Sequence, residues 1–126
     1  MNVPENLKYT TDHEWVKVEG KTALIGVTDY AQGELGDVVF IDLDPELEQI
    51  TKGESFGTIE AVKTVSDMFA PLSAKVVEVN PKLEDEPQLV NSDPYGEGWF
   101  IKIELEDESA LADLLDAAAY KAQIGG

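Results

Sequence analysis

The 126-residue chain contains no cysteine. Disulfides, thiolate nucleophiles and zinc–thiolate sites are therefore excluded. Arginine is absent as well, and all nine basic residues are lysines. The planar fork that grips phosphates and carboxylates in two-pronged fashion is missing. Histidine occurs once, at His13. No apolar run approaches the roughly 18 residues of a membrane span. Positive charge is scarce: 26 acidic residues leave a formal net charge of −17. Such a chain repels phosphate backbones and anionic membrane surfaces, so neither nucleic acid nor membrane is an expected partner. It is expected to be a soluble monomer, steered toward basic patches on its partners. The start "MNVPENLKYT" lacks the charged block and apolar core of a secretory signal, which predicts a cytoplasmic bacterial protein. A mature mitochondrial protein given a new methionine has the same appearance.

What is present suffices for one folded domain over residues 1–126. Apolar residues make up 43%, enough for a core despite the charge. Short apolar segments alternate with turn signals. "HEWVKV" (13–18) and "TALIGV" (22–27) predict a hairpin across Glu19–Lys21. "TDYAQGEL" (28–35) reads as one helical turn, with Asp29 and Gln32 spaced as a capping box. "DVVFIDL" (37–43) is β-branched and aromatic, hence a strand, and "DPELEQIT" (44–51) a turn or a single helical turn. "ESFGTIEA" (54–61) and "SAKVVEVN" (73–80) read as strands on either side of a connection centred on Lys63. "PKLEDEPQLVNSDPYGEG" (81–98) predicts a long surface connection, and "WFIKIEL" (99–105) another strand. The tail 108–123 places Leu111, Leu114, Leu115 and Ala118 at helical spacing. Many short strands with close turns predict a mainly β sandwich or barrel with one C-terminal helix outside. "DVVFIDL" and "KVVEVNP" (75–81) also echo one another 38 residues apart, hinting at two similar halves.

Catalytic motifs are wanting. His13 neighbours Asp12 and Glu14, but adjacent strand side chains face opposite ways, so it reads as a surface or partly buried histidine at a strand start. "DLDPELE" (42–48) lacks the glycine and glutamate register of a calcium loop. The "EDE" runs at 84–86 and 106–108 read as solvated loops. Gly53 and Gly57 form no phosphate loop. No metal site is expected. "GTIEAVKTVSDMFAPL" (57–72) is the odd segment. It places Lys63 among Val62, Thr64 and Val65, with no glycine, proline or asparagine to make a tight turn. Local conflicts of this kind are expected at functional sites. Spacing alone leaves two readings open: an exposed turn lysine, or a lysine with a function.

Here the residues resemble a known family. "GTIEAVKTVSDMFAPLSAKVVEVN" (57–80) resembles the lipoyl-lysine segment of glycine cleavage system H proteins. "LKYTTDHEWVKVEG" (7–20), "IGVTDYAQGELGDVVFIDLD" (25–44) and "LVNSDPYGEGWFIKIE" (89–104) are similar to three further blocks of that family, in the same order and spacing. Two positions depart. Ala61 stands where serine is frequent, and Ala74 where glycine is usual. A positive φ at position 74 would strain alanine.

The resemblance implies a flattened barrel-sandwich hybrid of short antiparallel strands, with Lys63 at a hairpin tip carrying lipoate as an amide. It implies a non-catalytic carrier shuttling an aminomethyl group from a glycine decarboxylase (P protein) to an aminomethyltransferase (T protein). A dihydrolipoyl dehydrogenase (L protein) then reoxidises the arm. A lipoate ligase or lipoyltransferase attaches it. Glu14 and Asp67, with Asp12 assisting, are the candidate carboxylates for the loaded amine. Two alternatives share the lysine: a lipoyl relay or carrier for other dehydrogenase complexes, and a biotin-type carrier. The methionines that flank a biotinyl lysine are missing at Val62 and Thr64.

Overall fold

The computed structural model describes residues 3–105 and 111–125. It contains β1 (Lys8–Tyr9), β2 (Glu14–Glu19), β3 (Thr22–Val27), α1 (Asp29–Leu35), β4 (Val38–Asp42), β5 (Gln49–Ile50) and β6 (Ser55–Ala61). These are followed by β7 (Val65–Phe69), β8 (Ala74–Val79), α2 (Lys82–Asp85), α3 (Leu89–Ser92), β9 (Ile101–Glu104) and α4 (Ala117–Gln123). The strands form two antiparallel sheets. One is ordered β1-β2-β3-β9-β8-β5 and the other β4-β6-β7. Ile25, Ile101 and Ile103 of the first sheet and Ile41, Ile59 and Met68 of the second share one buried core. The fold is thus mainly β, in the sandwich arrangement the resemblance implies, and the two sheets do not close into one barrel.

The β2–β3 hairpin forms as predicted, with Glu19 opposite Thr22 and Gly20 at φ 66° in the turn. Its packing demands one further glycine. A Cβ on Gly26 would lie 2.7 Å from the Trp15 ring, so only glycine lets the indole cross the neighbouring strand. The Trp15 Nε1–H donates to the Pro94 carbonyl at 2.9 Å. That bond ties the hairpin to the 81–98 segment.

Four expectations change. The strand after the Lys63 connection is β7, immediately beyond the tip, and β8 lies in the other sheet between β9 and β5. β7 was hidden because "VSDMF" mixes polar and apolar residues along an edge, where only Met68 is fully buried. Segment 81–98 contains α2 and α3, which bury Leu83 and Val90. α1 is seven residues long and its N-cap is Thr28, whose Oγ1 accepts from Ala31 N at 3.2 Å, while Asp29 bonds the Gln32 side chain. The C-terminal helix begins only at Ala117, capped by Asp116. Leu115 instead exchanges both backbone hydrogen bonds with Tyr9 in an isolated bridge, and Ala118 is exposed. The expected start of that helix at 108–110 lies outside the described residues.

The 38-residue echo has a backbone counterpart. The β4–β6 register shifts between Val38 and Phe40, and the β8–β9 register shifts between Val76 and Glu78. The extra residues, Val39 and Val77, are both exposed. Equivalent positions of the two similar strings therefore carry equivalent bulges. Ala74 opens β8 opposite Ile50, and His13 is the only non-glycine residue with positive φ among those described. Alanine at position 74 is therefore unstrained.

Candidate functional site

β6 and β7 form a hairpin whose tip is residues 62–64. Turn chemistry does not explain the tip, but hydrogen bonding does. Ala61 N donates to Thr64 O at 2.8 Å, and Val62 N donates to Asp37 O at 3.0 Å. Asp37 belongs to the junction between α1 and β4, so the tip is pinned from outside the hairpin. Val62 and Val65 are 72% and 60% exposed, and Lys63 is exposed between them. The lysine therefore projects from an apolar rim.

Its stem is not free-standing. Gly36 caps the C-terminus of α1 at φ 81°, and a Cβ built there would lie 3.3 Å from Lys63 Cε. The missing side chain leaves a track over the end of α1. Asn91 of α3 stiffens this junction: its Nδ2 donates to Gly36 O at 2.8 Å and its Oδ1 accepts from Val38 N at 2.8 Å. The same amide reaches Gln32 Oε1 at 3.0 Å.

α1 and β7 flank a cleft of about 260 Å³ that also takes in the residues before and at the start of β2. Ile59, Met68 and Leu35 line its apolar side, while Asp12, Glu14, Glu34 and Asp67 supply carboxyls. The structure thus brings Asp12, Glu14 and Asp67 into one cavity. Glu14 is only 2% exposed. Its Oε2 accepts from Phe69 N at 2.7 Å, and Thr10 Oγ1 lies 3.4 Å from its Oε1. Burial pushes its pKa up to about 8, against the pull of the Phe69 and Thr10 bonds and with added repulsion from Asp12. Asp67 is exposed, with Thr58 Oγ1 3.4 Å from its Oδ1, and Asp12 is exposed as well.

His13 joins the same wall. Strand alternation would place it away from Glu14. Its backbone is left-handed at φ 66°, which breaks the alternation just before β2 begins. No sequence pattern signals that angle at a histidine. Gly36 was more legible, since a glycine directly after a helix is a common stop. A second cavity, about 350 Å³ and bounded by Phe40, Leu43 and Leu83, is lined by neither the 62–64 tip nor β7. Among the described residues no group of three or more histidine, aspartate or glutamate side chains is arranged to hold a metal ion.

A family model described as Glycine cleavage H-protein matches residues 7–125. The chain belongs to the glycine cleavage H-protein family. It is 58% identical over 126 residues to the glycine cleavage system H protein of Bacteroides thetaiotaomicron, covering 100% of both chains. It is 57% identical over 125 residues to that of Staphylococcus haemolyticus, covering 99% of both. Its fold is similar to the crystal structure of a glycine cleavage system H protein from Mycobacterium marinum. That match has a TM-score of 0.88 and 39% identity, covering 98% of this chain and 100% of that one. H proteins are the lipoyl carrier subunit of a multienzyme system, so family membership implies partner enzymes. These relatives are bacterial, and among the described residues no helix is long and apolar enough to cross a membrane.

Proposed function

We propose that Lys63 is the lipoyl attachment site. On this reading the chain acts as one domain, a monomeric, cytoplasmic, non-catalytic carrier of the aminomethyl group from the P protein to the T protein, with the L protein reoxidising the arm. The observation that carries this reading is the geometry around Lys63. An exposed lysine stands on an apolar hairpin tip, and its stem lies over Gly36 at the end of α1, one wall of a carboxyl-lined cleft. When attached, the lipoyl group supplies the paired sulfurs that take up and release the one-carbon unit.

The chain's own residues supply placement and protection. Amide formation removes the lysine charge, so a rim of Val62 and Val65 suits an aliphatic arm. Gly36 leaves room for the stem to run along α1. Glu14, largely protonated at neutral pH before cargo enters, faces a cavity with no lysine among its lining residues. A cationic amine entering beside it favours its ionised form, so cargo entry releases a proton from Glu14. Asp67 and Asp12, near the mouth, attract the same cation. The apolar side of the cleft limits water, and tethering raises the arm's concentration at whichever partner is docked.

Intact-mass spectrometry after co-expression with a lipoate ligase tests the site. The wild-type chain is expected to gain one lipoyl group and Lys63→Arg none; a lipoyl increment on Lys63→Arg overturns the assignment. Reconstitution of glycine decarboxylation with purified P, T and L proteins tests the role. Lipoylated protein that fails to support turnover removes it.

A further inference from the structure

The left-handed backbone of His13 is held from a distant part of the chain. His13 Nδ1 lies 2.9 Å from the hydroxyl of Tyr120, in α4. That hydroxyl lies 2.7 Å from Thr28 Oγ1. Tyr120 is fully buried and stacks on Tyr9 with ring centroids 4.7 Å apart; Thr28 is fully buried too. Tyr30 covers the imidazole at 4.8 Å. The His13 carbonyl accepts from Thr28 N at 3.0 Å, so side chain and backbone are both fixed.

Counting protons orients the chain of bonds. Thr28 Oγ1 already accepts from Ala31 N at 3.2 Å. If Tyr120 also donated to it, the buried threonine proton would have no acceptor among the described residues, a costly arrangement. The satisfied order runs the other way. Thr28 donates to Tyr120, Tyr120 donates to His13 Nδ1, and the ring proton sits on Nε2. Nε2 has no hydrogen-bond partner among the described residues, and His13 lines the cleft.

We propose that Tyr120 is a positioning residue for the cleft, fixing His13 as an uncharged Nε2–H donor on the wall that receives the cargo. This rests on the reading of the cleft given above. The groups facing His13 are Asp12 beside it, Glu14 of β2, Tyr30 and Glu34 of α1, Asp67 of β7 and Tyr120 of α4. A neutral ring leaves the carboxylate charge of the cleft uncancelled and keeps an N–H free to donate into it. An imidazolium would cancel one of them and repel an ammonium cargo. Burial favours the neutral ring, while Asp12 and Glu34 pull the other way.

His13 is the only histidine, so its ring nitrogens give a single set of ¹⁵N resonances. In the unmodified protein the wild type is expected to show the Nε2–H tautomer and a titration midpoint below 6.5. Tyr120→Phe keeps the ring stack and removes the hydroxyl. It is expected to lower the tautomer ratio about fivefold and raise the midpoint. In the aminomethyl-loaded protein, Tyr120→Phe is expected to lose cargo, read as formaldehyde release, about fivefold faster near pH 6 and at the wild-type rate near pH 8. His13→Asn, an uncharged donor tolerated at positive φ, is expected to abolish that pH dependence in the Tyr120→Phe background. An unchanged imidazole spectrum in Tyr120→Phe overturns the proposal, as does faster loss that is equal at both pH values. The spectrum needs no lipoyl group, so failure of lipoylation at Lys63 strikes the attachment reading and leaves the tautomer assignment to be decided by itself.

Discussion

Glu14 concentrates the tension of the site in one side chain. It is buried, close to other acids, and held by one strong backbone donor. Folding raises its pKa from 4.5 to about 8. A carboxyl whose pKa rises on folding favours the native state when protonated. Its contribution is complete below pH 4.5 and is lost as the pH climbs through 8. In that window stability is expected to fall by on the order of 1 kcal/mol per pH unit from this group. Glu14→Gln keeps the acceptor for Phe69 N and removes the titration. Urea denaturation at both ends of the window is expected to show a flatter profile for Glu14→Gln and a more stable variant at the alkaline end. Parallel profiles for the two proteins would show that Glu14 ionises normally. Gly26 is a simpler residue-scale case. A methyl there meets the Trp15 indole, so Gly26→Ala is expected to cost about 1–3 kcal/mol, measurable in the same denaturation experiment.

Among the elements, the α1–β4 junction governs the hairpin that bears Lys63. Asn91 of α3 bonds both sides of Gly36–Val38, and Asp37 holds the tip through Val62. Asn91→Ala leaves Val38 N and Gly36 O without their partner. It is expected to destabilise the protein by about 1–3 kcal/mol. Hydrogen exchange at the Val62 amide should rise with it; protection at Val62 equal to the wild type would show that the tip is held by the hairpin alone. Asp116 plays a comparable part for α4, accepting from Ala119 N at 2.8 Å. Asp116→Ala is expected to cost about 0.5–2 kcal/mol in thermal or urea unfolding. Because α4 carries Tyr120, loosening its first turn should also broaden the His13 resonances.

For the whole molecule, the net charge of −17 acts on everything at once. Like charges on a compact body repel, and salt screens them. Melting temperature is expected to rise with added sodium chloride, and association with a basic partner face to slow steeply. A melting temperature indifferent to salt would show that the acids are spaced widely enough not to interact.

The legible parts of the sequence are those set by local chemistry. The β2–β3 hairpin, the strands β4, β6 and β9, and the oddity of Lys63 follow from alternation, β-branching and the absence of turn residues. β7 and the short helices α2 and α3 did not show, because edge strands and single helical turns carry too little periodicity to register. The C-terminal helix is shorter than its leucine spacing predicts. Its leucines fit a helical period, but Leu115 is claimed by the backbone of Tyr9.

The available chemistry is already written in the residue order: no thiols, no guanidinium, one imidazole, many carboxyls, and a lysine without charged neighbours. Composition and order are enough for that, since they state which groups exist. Which of these groups meet is a matter of packing. Glu14 became an acid with a raised pKa because packing buries it, although the Phe69 amide, 55 residues away, donates to it and favours its charged form. His13 faces the cleft because Tyr120, 107 positions later, holds its ring. Contacts at such separations depend on how two sheets and a terminal helix pack. No local pattern encodes the burial and backbone angle that this packing imposes.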